Sequence, residues 1–248
     1  MNVLGIIPAR YGSSRLEGKP LMDIAGNPMI QHVYEQAKKA LSHVLVATDD
    51  ERILEAVEAF GGNAVMTSTK HSTGTNRCLE AYEVFSAQSD LSFDVVVNIQ
   101  GDEPLLAPEQ IRLLLSCFEN ESTEMATLVI PVKAGEALNS GVYVVLDKFK
   151  NALYFSRSVI PFVRDAEKDV WSTKHTFYRH IGMYAFKPKA LREFATLGQT
   201  SLELAESLEQ NRWLENGRKI KVEVTTLETQ AVDTLEDLEK VRKLLSKE

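Results

Sequence analysis

Residues 9–19 have the clearest chemical character in this sequence, because small side chains alternate there with cations. These residues are Ala9, Arg10, Gly12, Ser13, Ser14, Arg15, Gly18 and Lys19. Small side chains let backbone N–H groups approach a phosphate chain closely, and cations neutralise its charge. The segment therefore predicts a phosphate-binding loop, although its pattern is neither GxxxxGK[ST] nor GxGxxG. The alternative is an ordinary basic loop that follows a strand.

A second group of polar residues, Gln100-Gly101-Asp102-Glu103, follows the apolar run at residues 94–99. Open α/β sheets bind ligands at the carboxyl ends of their strands. Magnesium takes hard oxygen ligands, often one or two carboxylates together with substrate phosphates. We therefore predict that Asp102 holds Mg²⁺ opposite the phosphate loop. The alternative is that Asp102 and Glu103 only form a turn or a helix cap.

A partner carboxylate for Asp102 is available near the end of the chain. Thr234 and Asp237 have the spacing of an N-terminal capping box, so Asp237 is interpreted as a capping residue. Asp233 stands just before that cap and has no such structural role. We predict Asp233 as the second metal ligand.

Composition excludes several classes of protein. The chain has 248 residues, of which 44% are hydrophobic and 25% charged, as in a globular domain with a sizeable core. A net charge of −7 argues against a nucleic-acid partner. The only cysteines, Cys78 and Cys117, form no metal-binding pattern. Neither a disulfide nor a zinc site is therefore expected. The N-terminus has no leader-like pattern and no apolar run reaches the ~20 residues of a membrane span, which predicts a cytoplasmic protein without a membrane partner.

The elements that must position these residues alternate between strand and helix patterns through the first 130 residues. Strands are predicted at 3–7, 43–47, 64–66, 94–99 and 125–131, and helices at 29–40, 51–60, 75–85 and 108–117. This alternation predicts an α/β fold with a mostly parallel central sheet and flanking helices. From about residue 142 strands dominate, at 143–147, 152–156, 180–186 and 220–226, with helices at 202–216 and 234–245. We predict a single domain over 1–248, with an inserted β-rich lobe at roughly 142–215.

With these motifs in place, the sequence resembles the CMP-KDO synthetases, the 3-deoxy-manno-octulosonate cytidylyltransferases, over nearly its whole length. The matching stretches include IPARYGSSRLEGKPL, VATDDERI, HSTGTNR, VNIQGDEPLL, ALYFSRSVIPF, RHIGMYAF, LEQNRWLENG and VDTLEDLE. The resemblance implies a nucleotide-diphospho-sugar transferase-like, Rossmann-like fold whose smaller lobe forms a homodimer contact. It also implies a role in lipopolysaccharide core biosynthesis.

The resemblance implies a reaction that depends on Mg²⁺. The anomeric hydroxyl of a 2-keto-3-deoxy sugar acid attacks the α-phosphorus of CTP, giving a CMP-sugar and pyrophosphate. The residues implied in catalysis are Lys19, Asp102 and Arg15, and the metal ligands are Asp102 and Asp233. Those implied in nucleotide binding are Pro8, Ala9, Arg10, Tyr11, Ser14, Lys19 and Arg77. Those implied in binding the sugar acid are Gln100, Arg157, Arg164, His180, Tyr184, Glu209 and Gln210.

Some of these sugar-site residues have simpler structural readings. Arg157 could form a surface salt bridge, Tyr184 alternates as a core residue does, and a lone histidine such as His180 is more often structural than catalytic. We therefore assign His180 to substrate binding and not to acid–base chemistry.

The chain departs from the family pattern at four places. Asn76 replaces an expected acidic residue, Tyr143 an expected lysine and Asn211 an expected leucine, and residues 229–231 replace a glycine-containing turn. These changes leave the reaction type intact but leave the sugar open between KDO and its 8-amino-8-deoxy analogue. Glu209 or Asp165 would then face the amine.

Three other classes of protein are disfavoured. A nucleotidyltransferase for sialate or for a sugar 1-phosphate is disfavoured by HIGMYAF and LEQNRWLENG. An inactive nucleotide-binding module is disfavoured because Lys19, Asp102 and Asp233 are all present. A Rossmann oxidoreductase is disfavoured because GxGxxG is absent.

Overall fold

The computed structural model of the chain describes residues 1–12, 16–71, 73–89, 91–139 and 141–245. Its strands are β1 (Val3–Ala9), β2 (Asp23–Ile24), β3 (Asn27–Pro28), β4 (His43–Thr48), β5 (Ala64–Met66), β6 (Val95–Asn98), β7 (Met125–Pro131), β8 (Tyr143–Leu146), β9 (Ala152–Ser156), β10 (Tyr178–Phe186) and β11 (Lys221–Val224). Its α-helices are α1 (Met29–Lys38), α2 (Glu51–Ala59), α3 (Gly74–Gln88), α4 (Pro108–Ser116), α5 (Trp171–Lys174), α6 (Pro188–Thr196), α7 (Ser201–Glu206), α8 (Gln210–Glu215) and α9 (Leu235–Leu245). Short 3₁₀ helices span Lys19–Leu21, Cys117–Glu119 and Lys168–Val170.

The chain divides into two compact units. Unit 1 contains Met1–Arg112, Ala185–Ala195 and Thr229–Glu248, and unit 2 contains Leu113–Tyr184 and Thr196–Glu228. Unit 2 begins before residue 142 and ends after residue 215. The inserted lobe at roughly 142–215 stays a prediction.

Unit 1 has a fully parallel sheet in the strand order β6-β1-β4-β5. The β1 and β6 strands are nearly continuous apolar runs, as expected of strands that are covered on both faces. Helix α1 packs on β1 and β4, α2 on β4 and β5, and α3 on all four strands. The α/β fold class with a mostly parallel sheet and flanking helices is therefore confirmed.

Two local features of unit 1 explain where its helices begin. Asp50 caps α2, because its Oδ1 accepts a hydrogen bond of 3.0 Å from the backbone N–H of Arg52. Thr73 caps α3 in the same way, through the backbone N–H of Asn76 at 3.3 Å. A separate apolar cluster packs helix α9 and the residues just before it against the segment that follows the predicted phosphate loop. It contains Leu16, Ile24, Met29, Val232, Leu238 and Val241.

Unit 2 contains the mixed part of the sheet. Strand β11 runs parallel to β7, whereas β8 is antiparallel to both β9 and β10. An apolar cluster of Val132, Tyr143, Trp171 and Phe177 packs beside these strands. The change from parallel to antiparallel pairing agrees with the strand-rich pattern after residue 142.

Two predictions of helices were wrong or incomplete. The run at 202–216 is not one helix, because Ser207 adopts a left-handed conformation (φ 50°) and separates α7 from α8. Helix α6 was not predicted, although Ala190, Leu191 and Phe194 have helical spacing and are buried. Within the described residues, no helix combines the length and apolar character that crossing a bilayer requires.

Candidate active site

A cavity of about 280 Å³ opens in unit 1 where the carboxyl ends of β1 and β6 meet. The predicted site residues that line it are Pro8, Ala9, Arg10, Lys19, Arg77, Gln100, Asp102 and Asp233. The remaining wall is formed by Pro20 and Gly101 and by the segment that precedes α3 and its first turn, at His71, Thr73 and Gly74. The structure therefore brings Ala9, Arg10 and Lys19 of the predicted phosphate loop, both predicted metal ligands and Arg77 to one cavity.

Parallel pairing of β1 and β6 explains why residues so distant in sequence meet. The register places Ile6 opposite Asn98, so Pro8 and Ala9 at the end of β1 lie beside Gln100 and Gly101 after β6. A Cβ atom at Gly101 would lie 2.8 Å from the carbonyl oxygen of Pro8, which is too close. Glycine at this position thus allows the two strand ends to approach each other.

Lys19 lies between the two predicted metal ligands. Its Nζ donates to Asp102 Oδ2 at 2.7 Å, to the carbonyl oxygen of Val232 at 2.9 Å and to Asp233 Oδ1 at 3.4 Å. The backbone N–H of Val232 in turn donates to the carbonyl oxygen of Asp102 at 2.9 Å. Three oxygen atoms of this kind around one ammonium group define a position that attracts a cation.

The capping interpretation of Asp237 is confirmed. Its Oδ2 accepts hydrogen bonds from Thr234 Oγ1 at 2.8 Å and from the backbone N–H of Thr234 at 3.1 Å. The backbone N–H of Asp237 donates back to Thr234 Oγ1 at 3.2 Å. Asp237 is thereby committed to the start of α9, whereas Asp233 contributes its carboxylate to the cavity.

Glu103 follows Asp102 in the sequence, but its side chain is more deeply buried. The side chain is buried, and this desolvation, together with the neighbouring Asp102 charge, raises the pKa of Glu103 to about 7. Glu103 accepts a hydrogen bond from Thr229, which partly offsets the shift. Asp102 is therefore the carboxylate of this pair that lines the cavity.

The phosphate loop is closed at its base by a contact between Tyr11 and Gly18. The backbone N–H of Gly18 donates to the carbonyl oxygen of Tyr11 at 2.9 Å. Gly18 has φ +67°, and a Cβ atom there would meet the Tyr11 ring at 3.1 Å, so glycine fits this turn best. The Tyr11 ring stacks on the Arg52 guanidinium at 3.3 Å and is not part of the cavity wall. Ser14 and Arg15, predicted in nucleotide binding and catalysis, lie outside the described residues.

Arg77 is held rigidly at the cavity wall. Its guanidinium donates to Asp49 Oδ2 at 2.7 Å, to Thr67 Oγ1 at 2.6 Å and to the carbonyl oxygen of Ser68 at 3.4 Å. Only 4% of Arg77 is exposed. Asp49 therefore pairs with Arg77, while the neighbouring Asp50 caps α2.

In unit 2, the predicted sugar residues His180 and Tyr184 lie side by side, with ring centroids 5.3 Å apart. Thr127 Oγ1 is 2.9 Å from His180 Nε2 and donates its one hydrogen to the carbonyl oxygen of Met183 at 2.8 Å. The Nε2 atom must then carry the proton of the neutral imidazole, which leaves Nδ1 as an acceptor. Desolvation lowers the pKa of His180 to about 3, and this neutral state suits hydroxyl binding rather than proton transfer.

The other predicted sugar residues of unit 2 have different surroundings. Arg157 Nε donates to the carbonyl oxygen of Glu206 at 2.6 Å, and Arg164 is an exposed side chain paired with Asp165 at 3.3 Å. Burial, and after it the Glu209 carboxylate, raises the pKa of Tyr184 well above its usual value. Gln210 is only 2% exposed, and its Nε2 has no hydrogen-bond partner among the described residues. A buried amide in that state fits a ligand contact.

Burial of a neutral His180 makes a prediction about acid stability. An unfolded His180 takes up a proton near its ordinary pKa of 6.5, whereas the folded one does so only near 3. The unfolded state therefore binds more protons across this window, and the contribution of His180 to stability is lost as the pH falls from about 6.5 towards 3. We expect His180→Gln to be less stable than the parent at pH 7, with a smaller difference at pH 5.

Urea unfolding of the parent and of His180→Gln at the two pH values measures this difference. A difference that stays constant between pH 7 and pH 5 would contradict a neutral His180. His175→Gln is the matched control, because His175 is exposed on the same unit.

Two of the four departures from the family pattern have structural explanations. Tyr143 is buried, and its hydroxyl donates to the carbonyl oxygen of Asn139 at 2.7 Å. Asn211 is also buried and joins α8 to β9, through Nδ2 to the carbonyl oxygen of Phe155 at 2.9 Å and through Oδ1 from its N–H at 3.3 Å. Both residues satisfy local backbone groups. Asn76, by contrast, has a buried Oδ1 without a hydrogen-bond partner among the described residues.

Comparisons with known proteins agree with this geometry. A family model described as "Cytidylyltransferase" matches residues 4–220. A 3-deoxy-manno-octulosonate cytidylyltransferase of Parabacteroides distasonis is 52% identical, over 99% of each chain. An 8-amino-3,8-dideoxy-manno-octulosonate cytidylyltransferase of Shewanella piezotolerans is 48% identical, over 96% of each chain.

Among solved structures, a CMP:2-keto-3-deoxy-manno-octonic acid synthetase complexed with CTP is 41% identical, with a TM-score of 0.90. The match covers 100% of this chain and 99% of the other. Its sequence identity and its fold similarity both extend over the full length. The protein therefore belongs to the cytidylyltransferase family, among the 3-deoxy-manno-octulosonate cytidylyltransferases, or CMP-KDO synthetases.

Proposed function

We propose that this protein is a CTP-dependent cytidylyltransferase that activates KDO, giving CMP-KDO and pyrophosphate. The observation that carries the proposal is the cavity of unit 1, where Arg10, Lys19 and Arg77 line the same space as Asp102 and Asp233. Cations and carboxylates are both needed by an enzyme that holds a metal–triphosphate complex. Identity over nearly the whole length to a 3-deoxy-manno-octulosonate cytidylyltransferase supports the same activity.

The chemistry requires an in-line displacement at the α-phosphorus of CTP. A bond forms between that phosphorus and the anomeric oxygen of the sugar acid, and the bond to the bridging oxygen of pyrophosphate breaks. The charge that develops on the phosphoryl oxygens is neutralised by Arg10 and Lys19, which line the cavity. Positioning and electrostatics account for such a step without a covalent intermediate.

We propose Mg²⁺ as the cofactor, with Asp102 and Asp233 as its protein ligands. The fit rests on the donor set, because the Lys19 ammonium is a cation that already contacts both carboxylates and one carbonyl oxygen. Two carboxylates match the protein share of a magnesium site that substrate phosphates complete. When bound, the metal would neutralise phosphate charge and lower the pKa of the attacking hydroxyl.

Of the residues predicted to bind the sugar acid, Gln100 lines the cavity of unit 1, and Arg157, Arg164, His180, Tyr184, Glu209 and Gln210 belong to unit 2. Arginine side chains suit the carboxylate of the sugar, since the guanidinium pairs with it through two parallel hydrogen bonds. His180 Nδ1 and the Gln210 amide offer one acceptor and one donor for hydroxyl groups. With its pKa near 3, His180 does not accept the proton of the attacking hydroxyl.

Of the two sugars, we propose KDO as the substrate rather than its 8-amino analogue. The departures at Tyr143 and Asn211 are explained by backbone hydrogen bonds inside unit 2 and therefore need no change of sugar. Asp165, considered as a partner for an amine, is exposed and paired with Arg164. The Shewanella relative nevertheless keeps the analogue as the alternative to test.

Pyrophosphate release from CTP and Mg²⁺ tests the proposal, with KDO and the 8-amino analogue in parallel reactions. We expect kcat/KM to be higher with KDO. Release with the analogue alone would move the specificity to the amino sugar and keep the reaction type. No release with either sugar, from a protein that binds CTP, would overturn the proposed sugar class.

We also propose that the protein acts in the cytoplasm, as a homodimer formed through unit 2, and supplies lipopolysaccharide core biosynthesis. Leu153 and Phe162 of that unit are exposed apolar side chains, 59% and 75% accessible, which a partner subunit would cover.

A further inference from the structure

The wall of the unit 1 cavity contains a titratable side chain to which the reaction has so far given no role. His71 lines the cavity between the phosphate loop and α3, and 21% of its side chain is exposed. Its Nε2 hydrogen bonds to Glu80 Oε2, a carboxylate on α3. This contact leaves Nδ1 as the second polar atom of the ring.

Glu80 is itself fixed, and it fixes the segment that carries His71. Its Oε2 also accepts a hydrogen bond of 2.9 Å from the backbone N–H of Ser68. The carbonyl oxygen of Ser68 accepts from Arg77 at 3.4 Å, one turn earlier on α3. Residues 68–71 are thus attached to α3 at several points, so that the imidazole is presented from a rigid wall.

The charges along the cavity explain what a histidine could add there. Lys19 contacts Asp102 and Asp233, and Arg77 contacts Asp49, so two of the three cations that line the cavity among the described residues are neutralised by carboxylates. A triphosphate needs several positive groups in addition to a metal ion. An imidazolium paired with an anionic carboxylate is stabilised by it, and it can donate from Nδ1.

We propose that His71 is a phosphate-binding residue of the nucleotide site and that Glu80 is its positioning residue. The ligand group is the polyphosphate of CTP, which His71 contacts through Nδ1 while Nε2 stays on Glu80. Glu80 holds the ring in one orientation and places a negative charge beside it. The inference rests on the proposed function, because it takes CTP as the ligand of this cavity.

The pKa of Glu80 is consistent with this arrangement. Partial burial alone would raise the pKa of Glu80, but the hydrogen bonds from Ser68 and His71, with the nearby Arg77 charge, hold it below its usual value. Glu80 is therefore an anion at neutral pH. The charged groups around the ring are this carboxylate, Arg77 with its partner Asp49, and the cations of the cavity.

Calorimetric titration of CTP and of CMP, with Mg²⁺ present, tests the proposal in four variants. In His71→Asn we expect the Kd for CTP to rise about tenfold and that for CMP to rise less than about threefold, because CMP lacks the outer phosphates. His71→Lys restores a cation and should keep the Kd for CTP within about threefold of the parent. Glu80→Gln should weaken CTP binding less than His71→Asn does. His175→Asn, an exposed histidine of unit 2, should leave both constants unchanged.

Two results would overturn the role of His71: unchanged CTP binding in His71→Asn, or equal weakening of CTP and CMP in both His71 variants. Equal weakening with a lowered Tm would show that the residue only supports the wall. A parent protein that binds no CTP would overturn the proposed function and this inference together. CTP binding by the parent without pyrophosphate release would affect the sugar assignment and leave the test of His71 intact.

Discussion

Asp102→Asn is expected to lower kcat/KM for pyrophosphate release from CTP and KDO by about 10³-fold or more, without unfolding the protein. Asp102 lines the cavity and contacts Lys19 at 2.7 Å. The amide keeps the size of the side chain but removes the charge that the proposed magnesium site requires. Removal of this charge also leaves Lys19 with a weaker partner, so the cation changes position within the site.

Two measurements separate loss of the metal from loss of the fold. Binding of Mn²⁺ as a magnesium substitute, followed by electron paramagnetic resonance, should weaken in Asp102→Asn, while circular dichroism and Tm stay close to the parent. Glu109→Gln is the matched control, since this carboxylate of α4 is exposed and pairs with the exposed Arg112. Activity of Asp102→Asn within about tenfold of the parent would refute the metal role.

The second large effect is expected on stability, at the buried ion pair between Glu203 of α7 and Arg212 of α8. Their exposed fractions are 4% and 5%, and Arg212 Nε donates to Glu203 Oε2 at 2.7 Å. Glu203 also completes the capping box of α7 with Thr200. Glu203→Ala should lower the free energy of unfolding by about 3–5 kcal/mol, because it removes the carboxylate that pairs with the buried Arg212 charge.

Urea unfolding followed by Trp213 fluorescence measures this effect, since Trp213 is fully buried on α8. The double variant Glu203→Leu/Arg212→Met should recover part of the loss, because an apolar pair of similar size carries no uncompensated charge. Glu109→Ala removes one member of an exposed pair and should change stability by less than about 0.5 kcal/mol. A loss below about 1 kcal/mol in Glu203→Ala would show that water or another group compensates Arg212.

Much of the catalytic half of this protein could be predicted from the sequence. Apolar runs that end in QGD or in a loop of small and basic residues identify strands and their carboxyl ends, because burial and turn chemistry are local properties of the chain. The choice between Asp233 and Asp237 also followed from local rules, since a capping box is defined by spacing alone. The structure confirms the capping role of Asp237 through its hydrogen bonds with Thr234.

The sequence did not reveal which carboxylates would serve which cations. Asp49 and Asp50 are adjacent and chemically alike, yet one pairs with Arg77 and the other caps α2. His71 and Glu80 are likewise joined across the turn that begins α3. Such pairs form because a loop folds back on a helix, and no periodicity records that approach. The same applies to Ser207, whose left-handed conformation divides a sequence with continuous helical spacing into two helices.

The sequence by itself thus determined the family, the α/β class and the loop and strand-end residues that are predicted to carry the chemistry. These depend on residue type, short-range spacing and resemblance over the whole chain. Only the tertiary structure decided that Lys19 lies between Asp102 and Asp233, residues that are 83 and 214 positions away from it. It also decided that Tyr143 and Asn211 satisfy backbone groups. The physical reason is that side-chain pairing and desolvation depend on which segments meet in space. In this fold, the parallel register of β1 and β6 determines which strand ends meet.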